Sequence, residues 1–340
     1  MSSGLKYAFI GSGTAVLAFA LLLFRTIETG REDAKPAFLE NLNPAGEMNG
    51  PEGIQFDKNG DLFIGDSSGM IWKLHAGLAP AAYAQLSTVL GEPGAPASRD
   101  PIRAGGIAID DPGNLYVAAY TYADGSILRI DAGTRKVRLF ARDVGVANFV
   151  LSTDDGSRIW VSDFRSDGRL LRYPVAATLP AQPDLVVAGL ASPNGLALGK
   201  GGNVLYAAET YSGDIARVDL TATPPAILHV ATLVGAFAIG SLDGLAFDPR
   251  DTERRFLYVA ENLRGIFTVI DINSSPARIA KQIRLDQMGG RPCPASMVIR
   301  DGYLYFTDVW SCSPVRLLLR TPKYREHAYR FRVTDLASLY

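Results

Sequence analysis

The feature that most constrains the fold is a strand–turn–strand unit that occurs six times between residues 50 and 308. In each unit an alternating apolar run leads into a short turn rich in Asp, Asn and Gly, and a second apolar run follows. Equivalent positions at the start of the six first runs are Glu52, Gly105, Asn148, Asn194, Asp243 and Ala295. Third and fourth strand-like runs follow most pairs, so the unit repeats roughly every 43 to 53 residues.

Four short strands in a repeat of this length are typical of a propeller blade. The sequence therefore predicts an all-β fold, a six-bladed β-propeller formed as one domain by residues 45–340. A β-sandwich is the alternative, but its strands need no common period, and six matching copies argue against it. The last outer strand of blade six could come from residues 329–333 or from the segment before the first repeat, and the sequence does not decide between them.

Residues 8–24 form a run of 17 residues without a charge. As a helix this run would reach about 26 Å, close to the thickness of a bilayer core. We therefore predict a membrane anchor or signal segment over residues 1–25 and a polar linker over residues 26–44. The residues after the run, Arg25, Thr26 and Ile27, make a poor signal-peptidase site and favour an uncleaved transmembrane helix.

A leading anchor most often exports the chain that follows it. We expect the propeller to be extracytoplasmic (periplasmic, lumenal or extracellular) and membrane-anchored through residues 8–24, or secreted if the leader is cleaved. The formal net charge of −1 gives no indication of a nucleic-acid partner. Cys293 and Cys312 flank the last strand pair on one predicted face. The sequence is compatible with a disulfide between them and also with two free thiols.

Composition excludes several classes of active site. With two cysteines and three histidines, the chain has neither a cysteine-rich metal site nor a disulfide scaffold. It has no Gly-x-Ser-x-Gly motif, which disfavours a serine-triad hydrolase. The histidines show no mutual spacing and are expected at the surface.

The entrances of the six innermost strands should form a ring around the central channel of a propeller. Four of these positions carry side-chain oxygens, and the other two, Gly105 and Ala295, are small. Two carboxylates and two amides facing one axis are costly unless a cation binds them. A hard divalent cation, most naturally calcium, meets that need, with manganese or magnesium as alternatives. The predicted metal ligands are Glu52, Asn148, Asn194 and Asp243.

An alternative explanation exists for each of these residues taken alone. Asn and Asp before Gly are common turn residues, although Glu52 has no such role. The ends of the six second strands should form another polar layer on the same face, consisting of Asp66, Tyr120, Asp163, Glu209, Glu261 and Asp308. Most of these are expected to serve the hairpins, and none is selected as a site residue.

The motifs around the predicted ligands resemble those of a known superfamily. Gly50-Pro51-Glu52-Gly53, Pro193-Asn194-Gly195-Leu196-Ala197 and Leu242-Asp243-Gly244-Leu245-Ala246 are similar to the SMP-30/gluconolactonase/strictosidine-synthase-like six-bladed propellers. The resemblance covers residues 50–320, and the N-terminal leader resembles that of the anchored, strictosidine-synthase-like members. It implies calcium ligation by the same four residues.

Two departures from the family pattern bear on the substrate and the metal. Sugar-lactonases of the family usually carry Arg two residues before the first ligand Asn and Asp or Gly after it, where this chain has Val146 and Phe149. A sugar lactone is therefore not expected. The paraoxonase branch has Asn after the metal Asp, where this chain has Gly244, so a single metal is expected.

The resemblance and the ring together predict a calcium-dependent hydrolase of lactones or aryl esters that acts on a small molecule. Asp243 or Glu52 is the candidate catalytic base. A membrane-tethered binding propeller with a structural metal is one alternative. A strictosidine-synthase-like enzyme that forms carbon–carbon bonds is another, against which the intact ring of ligands argues.

The anchor can be tested on the full-length protein. We expect it to resist alkaline carbonate extraction, because residues 8–24 would lie within the bilayer, and we expect removal of residues 1–30 to release it. A mature N-terminus mapped beyond Arg25 would show a cleaved signal instead.

Overall fold

The computed structural model describes residues 39–75, 78–89, 102–121, 125–233, 241–285, 292–308 and 327–333. The run at residues 8–24 and Cys312 lie outside these ranges. Within them, no helix is long and apolar enough to cross a membrane. Cys293 is buried and disulfide-bonded, and the chain has one other cysteine.

The described strands form six four-stranded antiparallel sheets. Blades one and two contain β2 (Pro51–Phe56), β3 (Leu62–Asp66), β4 (Met70–Leu74), β5 (Ala81–Gln85), β6 (Arg103–Ile109), β7 (Leu115–Tyr120), β8 (Gly125–Ile130) and β9 (Val137–Gly145). Blades three and four contain β10 (Ala147–Ser152), β11 (Arg158–Asp163), β12 (Gly168–Pro174), β13 (Leu185–Leu190), β14 (Pro193–Leu198), β15 (Val204–Glu209), β16 (Asp214–Asp219) and β17 (Ala226–Thr232). Blades five and six contain β18 (Leu242–Phe247), β19 (Phe256–Glu261), β20 (Ile266–Asp271), β21 (Arg278–Arg284), β22 (Pro294–Arg300), β23 (Tyr303–Asp308), β24 (Ala328–Arg332) and β1 (Glu40–Asn41). The described ranges also contain three short 3₁₀ helices, Leu86–Val89, Lys200–Gly202 and Asn262–Arg264.

Both ends of the chain close blade six. Its strand order is β22-β23-β24-β1, so the C-terminal segment supplies the third strand and the N-terminal segment the outermost one. The side chain of Arg330 on β24 donates two hydrogen bonds to the carboxylate of Glu40 on β1, at 2.6 and 2.7 Å. Of the two sources considered for the outermost strand, the N-terminal segment supplies it, and residues 329–332 lie in the third strand instead. The outermost strand lies within the segment predicted as a linker.

The six-bladed all-β propeller predicted from the repeats is confirmed. The first strand of each blade contacts the first strand of the next, and β22 contacts β2, which completes the circle. Among the described residues the buried apolar side chains fall into six clusters, one between each pair of neighbouring blades. Between blades five and six, for example, Phe267 packs edge-on against Phe306 with ring centroids 5.2 Å apart. The hydrophobic core is therefore distributed around the channel.

The turn between the first two strands of blade one shows how local sequence sets the hairpin. The Asp57 carboxylate accepts hydrogen bonds from the backbone N–H groups of Asn59 and Asp61 at 2.9 and 2.8 Å. Gly60 has a φ of +91°, in the left-handed region that favours glycine. The predicted Asn-Gly turn therefore closes the pair and leaves the start of β2 on the opposite face of the propeller.

The same β-bulge occurs in the first strand of all six blades. In blade one, Pro51 pairs with Asp66 and Ile54 with Ile64, so Glu52 and Gly53 together oppose the single residue Gly65. The five other first strands are irregular at the equivalent place. The ring positions are therefore bulge positions, where a strand bends and a side chain is re-aimed. The residues opposite the bulges are all small: Gly65, Ala118, Ser162, Ala208, Ala260 and Thr307.

The glycines that follow the ring residues are explained by close approach between blades. A Cβ on Gly195 would lie 2.2 Å from the carbonyl oxygen of Asp243 in blade five, and a Cβ on Gly53 would lie 2.0 Å from that of Gly105. Asn194-Gly195 is thus part of a strand, and the alternative explanation of this pair as a turn is wrong. The glycine lets the main chains of neighbouring blades touch around the channel.

We expect Gly195→Ala to lower the free energy of unfolding by about 1–3 kcal/mol, because the methyl group must displace main-chain atoms of blade five. Gly133→Ala is the matched control, since a Cβ there meets no atom within 4 Å. Chemical denaturation of both variants tests the packing, and equal stability would contradict it.

Candidate metal centre in the central channel

The four predicted ligands occupy equivalent bulge positions in blades one, three, four and five. Electrostatics show that the two carboxylates are close, since the charge of Glu52 raises the pKa of Asp243. Both carboxylates also act on the hydroxyl of Tyr120 and raise its pKa, although burial is the larger cause. Asn148 lies half-buried at the same position in β10. Blades one and five thus place two acids in one confined space.

Glu52 is held at both its side chain and its main chain. The Tyr120 hydroxyl donates to Glu52 Oε2 at 2.7 Å, and the Thr307 hydroxyl donates to the Glu52 carbonyl oxygen at 2.7 Å. Burial raises the pKa of Glu52 to about 7, against the opposing effects of the Tyr120 hydrogen bond and the Arg103 charge. Burial therefore outweighs the donor and the cation that face this carboxylate.

Asp243 is the second acid of the ring. Asn262 Nδ2 donates to Asp243 Oδ2 at 3.3 Å. Burial, followed by the charge of Glu52, raises the pKa of Asp243 to about 8, and the Asn262 hydrogen bond only partly offsets them. Two carboxylates this close resist ionising together, so the cation-free protein retains protons here near neutral pH.

Asn194 has a buried oxygen without a partner. Its Nδ2 donates to Thr210 Oγ1 at 3.1 Å, and the Thr210 hydroxyl donates in turn to the carbonyl oxygen of Leu242 at 2.6 Å. The Asn194 side chain is thereby fixed with only 5% of the residue exposed. Asn194 Oδ1 has no hydrogen-bond partner among the described residues. Leaving such an acceptor unpaired costs about 1–3 kcal/mol.

These observations fit a bound cation. The carboxylates and the unpaired amide oxygen are hard donors, which suit calcium and magnesium better than soft metals do. A positive charge would replace the retained protons and satisfy Asn194 Oδ1. Glu52, Asn148, Asn194 and Asp243 are the residues that would hold it, with further oxygens from solvent or substrate.

The second predicted layer serves mainly to hold the loops that lead into the first strands. Carboxylates at the ends of second strands accept hydrogen bonds from backbone N–H groups in these loops: Asp66 from Asn49, Asp163 from Val146, Glu209 from Ala191 and Asp308 from Cys293. Glu261 instead bonds Arg264 and Thr268. Tyr120 differs from all of them, because its side chain reaches a ring residue.

Thr210 and Asn262 were missed by sequence reasoning. Each follows directly after the last residue of a second strand, Glu209 or Glu261, which the sequence had placed in the polar layer. A polar residue directly after each of these two strand ends was the available sequence signal. A small or amide side chain just past the strand can turn towards the channel, while the carboxylate before it bonds the hairpin.

A second group of metal-type ligands lies in blade four. Ligand atoms of Glu209, Asp214 and His229 all lie within 4.8 Å of one another. His229 Nε2 is 2.6 Å from Glu209 Oε2, while the Thr232 hydroxyl donates to Asp214 at 2.6 Å. Glu209 also binds the Ala191 N–H, so both of its oxygens already have partners. The group is separate from the ring, and its hydrogen bonds account for its geometry.

An apolar rim borders the ring on the same face of the propeller. We use this name for Val146, Phe164, Tyr211 and Leu263, which lie at the loops of blades three to five. Val146, Tyr211 and Leu263 are 39%, 62% and 63% exposed. The Phe164 backbone N–H donates to the Val146 carbonyl at 2.8 Å, and the rings of Phe164 and Tyr211 are 5.6 Å apart. Exposed apolar side chains therefore lie on the face of the propeller that carries the ring.

With this geometry established, the chain can be compared with known proteins. Residues 41–74, which include most of blade one, match the family profile described as strictosidine synthase-like, N-terminal. The resemblance predicted from the sequence is confirmed. The matched segment contains the strand that carries Glu52. No curated protein matches the chain in sequence.

Several solved structures share the fold at low sequence identity. Regucalcin from Agrobacterium tumefaciens, a calcium-binding protein, has a TM-score of 0.61 at 14% identity, covering 87% of this chain and 93% of its own. A gluconolactonase from Xanthomonas campestris has a TM-score of 0.61 at 17% identity, covering 86% and 89%. A luciferin-regenerating enzyme has a TM-score of 0.62 at 15% identity, covering 86% and 94%. At these identities the likeness establishes the six-bladed fold.

The paired acids predict a pH-dependent stability. After chelation of divalent cations, we expect the melting temperature to fall as the pH rises from about 5 to about 8.5. The folded protein keeps the protons of Glu52 and Asp243 up to pKa values of about 7 and 8, whereas their ordinary pKa values are 4.5 and 3.8. Between these values the folded state binds more protons, so raising the pH favours unfolding.

Asp243→Asn isolates this effect from the other titrating groups. Its melting temperature should depend less on pH than that of the chelated wild type. Parallel profiles for the two proteins would show that Asp243 already ionises normally in the fold.

Proposed function

We propose that this protein is a calcium-dependent hydrolase of lactones or aryl esters, with its active site at the ring of Glu52, Asn148, Asn194 and Asp243. The observation that carries the proposal is the buried, partnerless Asn194 Oδ1 in the same ring as two carboxylates with raised pKa values. A ring that only closed hairpins would have satisfied this oxygen internally. The calcium-binding and gluconolactonase descriptions of two similarly folded proteins support the proposal as analogies.

The chain's own residues supply orientation and proton transfer. When bound, a divalent cation polarises an ester carbonyl and lowers the pKa of a coordinated water. Asn194 presents Oδ1 to the channel because Thr210 fixes its amide nitrogen. Asp243, whose carboxylate is oriented by Asn262, is the candidate to accept the proton of an attacking water. Glu52, oriented by Tyr120, is the alternative.

The apolar rim supports an apolar substrate over a sugar. Val146 stands where the sugar-lactonase pattern has Arg, Phe149 stands where it has Asp or Gly, and Val146 is itself part of the rim. Tyr211 and Leu263 add exposed carbon on the neighbouring blades. Contact with an aryl or alkyl group would remove this surface from water, at about 25 cal/mol per Å² of apolar area buried. We therefore propose esters with an aromatic or aliphatic side group as substrates.

The cellular location is proposed on separate grounds. The uncharged run at residues 8–24 supports a membrane anchor with the propeller on the extracytoplasmic side. The disulfide at Cys293 agrees with that placement, since disulfides persist in oxidising compartments.

The ring can be tested by removing one charge at a time. We expect Asp243→Asn and Glu52→Gln to lower calcium affinity by more than the roughly 10–100-fold typical of a residue that merely supports a ligand, and to reduce ester hydrolysis to background. Isothermal titration with calcium and a panel of lactones and phenyl esters measure the two effects.

Asp248→Asn is the matched control. Asp248 is buried just past the other end of β18 and is paired with Arg250. Its loss should lower stability and leave calcium affinity unchanged. Calcium binding without turnover in the wild type would favour a binding propeller with a structural metal. Full activity of Asp243→Asn would remove the ring from the mechanism.

A further inference from the structure

Blade two has no polar side chain at its ring position on β6. A polar side chain from its second strand, β7, reaches the ring instead. A Cβ on Gly105 would lie 2.6 Å from the carbonyl oxygen of Asn148, so this position cannot hold a larger residue without moving blade three. Tyr120, at the end of β7, extends its hydroxyl to Glu52 Oε2 in blade one. The polar contact of blade two with the ring thus comes from the end of its second strand.

Blades four and five use the same arrangement. Thr210 follows the second strand of blade four and accepts from Asn194 Nδ2, while Asn262 follows that of blade five and donates to Asp243 Oδ2. In each case a group at the end of a second strand engages one polar atom of a ring residue. This group leaves one oxygen of each ring residue unengaged: Glu52 Oε1, Asn194 Oδ1 and Asp243 Oδ1. Blades two, four and five thus each hold a ring residue by one polar atom, with a different side chain in each case.

We propose that Tyr120 and Asn262 are positioning residues that each hold one oxygen of a ring carboxylate, so that Glu52 and Asp243 present a single oxygen to a bound cation. This inference rests on the proposed function, because it assigns the cation to the ring. One oxygen per carboxylate leaves more of the coordination sphere to solvent and substrate. Neither residue touches the cation.

The geometry of Tyr120 is explained better by a role in orienting Glu52 than by a purely structural role. Arg103 lies close enough to lower the pKa of Glu52, so a positive charge is already available to this carboxylate. The Tyr120 hydroxyl fixes the orientation of the Glu52 carboxylate through a single hydrogen bond to Oε2. Among the described residues, Glu52 is the hydrogen-bond partner of the Tyr120 hydroxyl.

The test uses calcium and terbium as probes on the full-length protein. We expect Tyr120→Phe and Asn262→Ala each to weaken calcium binding about 10–100-fold by isothermal titration, as is typical when the support of a ligand is lost. The lifetime of terbium emission, which reports the number of bound waters, should also change, because the released carboxylate oxygen can then compete with water.

Tyr116→Phe is the matched control for the tyrosine. It lies on the same strand, and its hydroxyl donates to the buried carboxylate of Asp110 at 3.1 Å, far from the ring along β7. It should lower the melting temperature of the cation-free protein and leave the calcium affinity and terbium lifetime unchanged. This variant therefore measures the structural cost of losing a buried tyrosine hydrogen bond.

The outcomes separate this inference from the function on which it rests. Wild-type binding with unchanged affinity and lifetime in both Tyr120→Phe and Asn262→Ala would overturn the positioning role and leave the calcium site standing. A wild type that binds neither probe would overturn both. If Tyr120→Phe does not fold, Asn262→Ala alone decides, because Asn262 holds the other carboxylate in the same way.

Discussion

The contact on which the molecule depends is the close approach of main chains between neighbouring blades, seen at the first-strand bulges of blades one, two, four and five. Gly53, Gly195 and Gly244 permit it, since a Cβ at any of them would lie within 2.5 Å of a carbonyl oxygen in the next blade. The bulge places the residue before each glycine at the channel, and the small residue opposite gives it room. One packing constraint thus closes the propeller and also concentrates polar side chains at its axis.

That concentration has an electrostatic cost, which the rest of the fold must offset. Glu52 and Asp243 are forced together where burial favours their neutral forms, and Asn194 Oδ1 is buried without a partner. Six apolar clusters between the blades supply stability away from the axis. Because the cost is local and the stabilisation is distributed, the fold tolerates a poorly satisfied ring, which the proposed cation would satisfy.

Sequence reasoning succeeded where a pattern repeats and failed where a single side chain decides. The six bulges recur at one register, so the ring positions could be aligned without coordinates. The strand Glu40–Asn41 is two residues long and has no periodicity, so the sequence could offer the N-terminal segment only as one of two sources for the last strand of blade six. The proposed role of Tyr120 depends on the length of its side chain, which reaches Glu52 in the neighbouring blade. Asn262 was missed because it lies one residue beyond the repeated strand end.

The expectation of a single cation acquires a structural reason at Gly244. A second metal would need another oxygen donor beside Asp243, and any side chain at position 244 would place its Cβ 2.5 Å from the carbonyl oxygen of Ala295. Asn262 does not supply that oxygen, because its amide nitrogen is the group that faces Asp243. The glycine that brings blades five and six together therefore also limits the ligand set, and this close approach supports one cation over two at the proposed site.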